Sequence, residues 1–320
     1  MNTAQYVENF LSLLAAGLLT GAIYGLMCVG LSVIFGVMRV INFAQGEFMM
    51  LGMYVAFFAF GALGLQAIFG DMLAPFIAAL LAGPAIFLVG VLVHKTLVSR
   101  VTGLSGTALQ GEGHYAQLIL TLGVSLILSN GGLVVFGSAP VSISTPLSST
   151  SWGEAGLPLG DSVLLFINKG QTIAALVAVA VVVAFALFMA RSRLGRSLRA
   201  AADNPRAAIY MGVDVDRAYR LAFGFGVGIT AIGGGLLASS YPFQPYVGIE
   251  YVIVMYAGVV LGGLGSLRGA FFGGLTIGLV QQLSALILPN QLQNTAIFVV
   301  FLLIILLRPE GLFGRAARRA

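Results

Sequence analysis

Gly170 to Gly212 reads GQTIAALVAVAVVVAFALFMARSRLGRSLRAAADNPRAAIYMG, and the fold class turns on the seam at Arg191. Before the seam, residues 171–190 carry no charge and are almost wholly apolar, a stretch long enough to cross a bilayer as a helix. After it the chain turns basic and polar and carries the punctuation of a short helix. Asn204 can cap free N–H groups, Pro205 suits the first helical position, and Asp203 adds negative charge at that end. Gly212 then suits a left-handed stop after Met211. The signals predict a helix over 205–211, too short to be stable alone in water, which must pack on the rest of its loop or on a partner.

The rest of the chain repeats the first half of this pattern. Of 320 residues 59% are hydrophobic and only 8% charged, against about 25% charged in a soluble domain. Apolar segments run roughly over 11–37, 44–63, 72–94, 115–137, 170–190, 216–240, 250–265, 269–288 and 292–307. The pattern is that of an all-α, polytopic transmembrane bundle of about eight to ten spans, because the seventh and eighth segments are short enough to form a re-entrant pair. Residues 1–320 read as a single transmembrane domain, with a cytoplasmic loop near 191–215 and an outer loop near 138–169. A β-barrel would instead alternate apolar and polar residues in ten-residue segments. Glu8 and the lack of Lys or Arg in the first ten residues argue against a cleavable signal peptide.

Charge orients the bundle. With nine crossings and a cytoplasmic C-terminus, Arg39, Lys95, Arg100, the seven arginines from Arg191 to Arg220, Arg268, Arg308, Arg315, Arg318 and Arg319 share the inner side. Only Lys169 of the 16 basic residues falls outside. The net charge of +5 is thus an orientation signal and not a nucleic-acid footprint. Cys28 is the sole cysteine, which excludes an internal disulfide, and His94 and His114 are too isolated to hold a metal. No clustered His or carboxylate set suggests catalysis, so no catalytic or metal residue is assigned.

Three separated motifs carry a resemblance. They are Gly36–Gly52 (GVMRVINFAQGEFMMLG), Gly195–Gly212 (GRSLRAAADNPRAAIYMG), and Leu261–Ser266 (LGGLGS) with Gly269 and the closing Arg308–Gly314 (RPEGLFG). In this order, over nearly the whole chain, they resemble the permease subunits of branched-chain amino acid (Liv-type) ATP-binding-cassette importers. The resemblance implies a bacterial inner-membrane complex of this chain, a second related permease (a heterodimer), two cytoplasmic ATPase subunits and a periplasmic solute-binding protein. It implies a path for branched-chain or other hydrophobic amino acids, with ATP and Mg held by the partner subunits and no cofactor in this chain. Related systems carry urea, short amides or aromatic acids. The absence of G-x-x-x-x-G-K-[ST] agrees that this chain is not the ATPase. By the same resemblance the coupling surface comprises Arg196, Arg199, Asp203, Asn204, Pro205, Arg206, Ala207, Ala208, Tyr210, Met211 and Gly212. The other reading of this stretch lays its arginines on anionic lipid. The chain departs from the family pattern at Gln45, often His, at Val254, often Lys, and at Arg268, often Pro.

Polar residues inside apolar segments are the candidates for a translocation path or gate: Asn42, Gln45, Glu47, Ser125, Asn130, Gln281 and Gln282. Each can instead make a helix–helix hydrogen bond. Glu47 is the one acid inside an apolar segment; the topology puts it one or two turns from the cytoplasmic end, suited to an inner gate or to bracing Arg39. Asn42 is a candidate cap for the second segment. A self-contained channel or secondary transporter would need more ion-coupling groups than Glu47 supplies.

Overall fold

The computed structural model describes residues 3–102, 113–147, 150–152, 157–158, 164–289, 292–307 and 311. Every predicted apolar segment holds a helix: α1 (Thr3–Met38), α2 (Gln45–Ala62), α3 (Leu65–Val93), α5 (Gly113–Phe136), α6 (Lys169–Arg191), α9 (Val215–Ala238), α10 (Val247–Gly262), α11 (Leu267–Ser284) and α12 (Gln293–Leu307). A π-turn and the short α4 (Ser99–Thr102) extend α3, and α7 (Arg193–Asp203) and α8 (Pro205–Tyr210) join α6 to α9. Five helices, α1, α3 with its extension, α5, α6 and α9, are long and apolar enough to cross a membrane; α10 and α12 are apolar but shorter. The 16 residues of α10 span about 24 Å, less than a hydrocarbon core of about 30 Å.

Alpha-helices 1 and 9 form the centre, buried over most of their surfaces. They pack through small residues. Gly17, Gly21 and Gly25 form one stripe of α1 against Leu279, Leu275 and Phe271 of the antiparallel α11, which answers with Gly274 and Gly278. A Cβ on Gly278 would stand 2.3 Å from the Gly21 Cα, so the two backbones touch. Between apolar helices in lipid the hydrophobic effect contributes little, and such close van der Waals contact is what holds them. On the perimeter the order reverses. Leu88 and Leu92 of α3, Ile127 and Val134 of α5, Leu176 and Val183 of α6, and Leu306 and Leu307 of α12 are exposed. Small residues inside and large apolar residues outside suit a bundle solvated by lipid.

Residues 39–44 are not helical and run back along the bundle, which moves α2 far from where its sequence position suggests. Gln45 bonds to Thr230, whose hydroxyl lies 3.3 Å from the Met27 carbonyl. The level of Met27 on α1 is about 16 Å from the end of that helix at Met38, at 1.5 Å per residue. Alpha-helix 2 therefore begins near mid-depth. Glu47 is not one or two turns from the inner end; it packs against Gly248, in the first turn of α10.

The segment between α5 and α6 is ordered where it is described. Val141 and Phe243 exchange backbone hydrogen bonds of 2.9 Å, tying the segment to the α9–α10 connection. A hairpin pairs β1 (Leu157–Pro158) with β2 (Leu164–Leu165). The Trp152 indole donates to Thr172, and Lys169 sits 5.7 Å from the ring centre. Arg308 and the tail from 312 lie outside the described residues.

Gly278→Val forces α11 off α1. Overpacking of this kind costs about 1–3 kcal/mol, and more where the clashing atoms are backbone. The expected outcome is a lower midpoint in a thermal unfolding assay of detergent-purified protein than for Ile277→Val on the same helix, which only trims a buried side chain.

Candidate functional site

The polar connection after α6 is built as two capped helices. Ser192 accepts a hydrogen bond from the Gly195 N–H at 2.8 Å and starts α7. Alpha-helix 7 is strongly amphipathic; Gly195, Leu198 and Ala201 are buried against α6, α9 and α1, while Arg196 is exposed. The sequence reading did not resolve this helix, although Leu198 and Ala201 at a three-residue spacing below a Ser cap are its signal. Asn204 caps α8 by accepting from the Ala207 N–H at 3.1 Å, with Pro205 next, as expected. The helix ends one residue earlier than predicted, with Met211 as its cap. Gly212 has φ +78°; its N–H bonds to Ile209, and the Val213 N–H bonds to Ala208, both at 2.9 Å. This is a Schellman stop, which the left-handed glycine makes possible.

The outcome is a rigid support with an exposed apolar tip. Ala208 is buried, anchoring α8, while Tyr210 and Met211 are 89% and 83% exposed, with Ile209 exposed beside them. Asp203, Asn204, Arg206, Ala207 and Gly212 are also exposed, and Pro205 is half-buried. Arg199 does something else. Its guanidinium donates to the Met189 carbonyl and, at 3.5 Å, to that of Ala190, closing the free C-terminal carbonyls of α6.

The second grouping surrounds the buried start of α2. Asn42, Gln45 and Glu47 are at most 1% exposed. Asn42 is not the helix cap: that position is Ala44, and the Asn42 carboxamide oxygen accepts from the Ala44 N–H at 3.2 Å, bracing the turn before the helix. Its amide donates to Gln45 at 2.9 Å. Gln45 in turn donates to Thr230 at 2.6 Å and to the Gly226 carbonyl at 3.2 Å. These bonds fasten α2 to α9 and, through Thr230, to α1. They make Gln45 a buried bridge between helices in this arrangement. Thr230 was missed in the sequence; as a lone hydroxyl in an apolar, Gly-rich segment it was its own signal.

Glu47 does not brace Arg39. One of its oxygens accepts from Ser125 of α5 at 3.3 Å, so its partner is a hydroxyl on a neighbouring helix. The other has no hydrogen-bond partner among the described residues and lies where a Cβ on Gly248 would stand, 2.5 Å away. The structure therefore brings Asn42, Gln45, Glu47 and Ser125 together. Asn130 is separate: it is exposed and donates to the Leu126 carbonyl of its own helix. Gln281 is also separate, accepting from the buried Tyr24 at 2.8 Å and donating to Asn294 at 3.1 Å; Gln282 is half-buried near Gly17. Tyr24 packs edge-on against Tyr251 at 5.9 Å, a partner for Gln281 that the sequence did not reveal. Among the described residues no group of three His, Cys, Asp or Glu could hold a metal ion.

A polytopic helical bundle with a helix that starts near mid-depth and a capped apolar tip at one end suits the class of membrane-transport permeases. A family model described as the branched-chain amino acid transport system permease component matches residues 13–307. The chain belongs to that family, is a permease component of this class of transport system, and is not an enzyme. It is 30% identical to the high-affinity branched-chain amino acid transport system permease protein BraD of Pseudomonas aeruginosa, over 97% of each chain. It is 29% identical to the corresponding LivH of Salmonella typhimurium, over 96% of each. The autoinducer 2 import system permease protein LsrD of Photorhabdus temperata is 28% identical over 56% of this chain and 57% of its own. No solved structure matches the chain.

The Gln45–Thr230 contact makes a direct prediction. Thr230→Val keeps the shape but leaves the Gln45 amide short of an acceptor, a loss of about 1–3 kcal/mol for a buried polar group. Asn130→Ala removes only an exposed bond within one helix and changes stability by less than about 0.5 kcal/mol. Thermal unfolding of the two variants side by side checks the contrast.

Proposed function

We propose that this chain forms the membrane path of an importer for branched-chain or other hydrophobic amino acids, driven by separate ATPase subunits and fed by an external binding protein. The observation that carries the reading is the α7–α8 unit. A helix that exposes Tyr210 and Met211 to solvent, on a support fixed by two side-chain caps, is shaped for insertion into a groove of another protein. The names of BraD and LivH, two relatives matched over nearly their full length, supply the substrate class. The ATPases bind ATP and Mg; this chain contributes movement and a path, with no bond made or broken on it. A second related permease completes the path, and the connections near 138–169 and 241–250 receive the binding protein.

Glu47 supports an amino acid over the alternative of urea or short amides. A carboxylate buried at mid-depth, with one oxygen unpartnered among the described residues, is matched by an ammonium group, which an amino acid brings and a neutral amide does not. In the closed arrangement described here Gly46 and Gly248 meet over it: a Cβ on Gly46 would stand 2.0 Å from the Gly248 carbonyl oxygen. Separation of α2 from α10 is the movement that would expose it. That opening follows from a shift in α8, which reaches α9 directly, and α9 holds α2 through Thr230.

Two experiments test this. The double variant Tyr210→Ala, Met211→Ala removes exposed apolar contact only, so membrane insertion and thermal stability are unchanged while copurification of the ATPase subunits falls; undiminished copurification would refute the coupling assignment. In reconstituted vesicles containing the full complex, Glu47→Gln lowers leucine uptake at least roughly tenfold, as expected when one member of a buried charge pair is neutralised. Wild-type vesicles that take up urea and not leucine would place the chain with the alternative substrate class.

A further inference from the structure

A cleft opens at the end of the bundle where the three sequence motifs meet, bordered by Arg199 and Asp203 of α7. Its deep part has a volume of about 560 Å³ and is lined by Ser32, Val33 and Val37 of α1, Ala186 and Met189 of α6, and Leu267 of α11. An adjoining part of about 640 Å³ carries Arg39, Arg199 and Asp203. Arg268 stands at the α11 side and Arg199 borders both parts. The mouth thus presents three arginines to one aspartate, and the interior is a shaft of aliphatic side chains.

The shaft holds one further polar feature. The Ser32 hydroxyl is buried, 1% exposed as a residue, and has no hydrogen-bond partner among the described residues. A serine on a membrane helix ordinarily bonds back to a carbonyl of the preceding turn. Ser32 borders the cavity, and a ligand seated there would supply the partner that its hydroxyl lacks among the described residues once the side chain turns toward it. It lies about 9 Å along α1 from Met38, one to two helical turns inward from the arginines at the mouth.

We infer that this cleft binds one anionic phospholipid, with its phosphodiester on Arg39 and Arg268, an ester oxygen on Ser32 and an acyl chain in the aliphatic shaft. Charge and shape both favour that occupant. A soluble anion would leave the shaft and Ser32 unmatched. The chain's own tail beyond Gly311 carries Arg315, Arg318 and Arg319 and no acid, so it is repelled by the mouth. The α6 wall adjoins a face where Leu176, Val179, Val183 and Leu187 are exposed, which gives an acyl chain a route from the bilayer. The lipid would brace α7 against α1 and the α10–α11 turn, since Ala202, Gly36 and Gly265 border both parts of the cleft.

The test is native mass spectrometry of the detergent-purified full-length chain titrated with phosphatidylglycerol or phosphatidylcholine of matched acyl length. One phosphatidylglycerol is retained per chain in preference to phosphatidylcholine. Arg39→Gln and Arg268→Gln each weaken retention about fivefold, the effect of one basic residue at an anionic lipid surface. Ser32→Leu, which fills the shaft and leaves the arginines in place, abolishes retention, whereas Ser32→Ala only weakens it. Glycerol phosphate does not compete. Equal retention of the two lipids, retention unaffected by both arginine variants, or displacement by glycerol phosphate, which marks a site for soluble anions, would overturn the inference. Circular dichroism and the unfolding midpoint of each variant separate lost binding from lost folding.

Discussion

The close approach of glycine faces is the constraint on which the rest of this structure depends. In lipid an apolar helix gains little by leaving its surroundings for another apolar helix, so the centre is held by contact at short range. The stripe Gly17, Gly21 and Gly25 brings α1 against α11, and Gly226 brings α9 against Gly30 of α1. With α1 and α9 so close, Thr230 reaches the Met27 carbonyl, and that pairing is the seat for Gln45. The start of α2 is therefore positioned by backbone contact two helices away.

The non-helical run at 39–44 is the cost of starting a helix at mid-depth. Irregular backbone inside a membrane bundle must be satisfied by protein. Here Asn42 meets the Ala44 N–H, the Thr121 hydroxyl accepts from the Phe43 N–H at 3.3 Å, and Asn42 and Gln45 bond to each other. Polar residues that looked like a path are largely occupied in this way. Glu47 is the exception, with one oxygen committed to Ser125 and the other without a partner among the described residues. The same unwinding that fixes α2 carries that carboxylate to mid-depth.

The α7–α8 connection joins this interior to the outside of the bundle. Its stiffness comes from local chemistry: Ser192 and Asn204 cap two successive helices, and Gly212 closes the second. Its position comes from long-range packing of Leu198 and Ala201, and from Arg199 reaching back to the end of α6. The tip is thereby packed on α9 and tied to the end of α6.

The sequence by itself determined the type and approximate place of the apolar helices, because charge-free runs of this length have few alternatives to a membrane helix. It also determined the cap and stop of α8, since Asn204-Pro205 and Gly212 act on their own backbone within a few residues. The family was legible too, in motifs that read locally. Depth and partnership were not. Glu47 looked close to the inner end because the count along the chain assumed that α2 began where α1 stopped, and nothing local reports that six residues double back. Asn42 reads as a cap until Ala44 is seen in that position, and nothing beside Gln281 in the sequence reports its bond to Tyr24. Which polar group meets which is settled by the distances between helix faces. Those distances are set by glycines tens to hundreds of residues away, and only the tertiary structure brings them together.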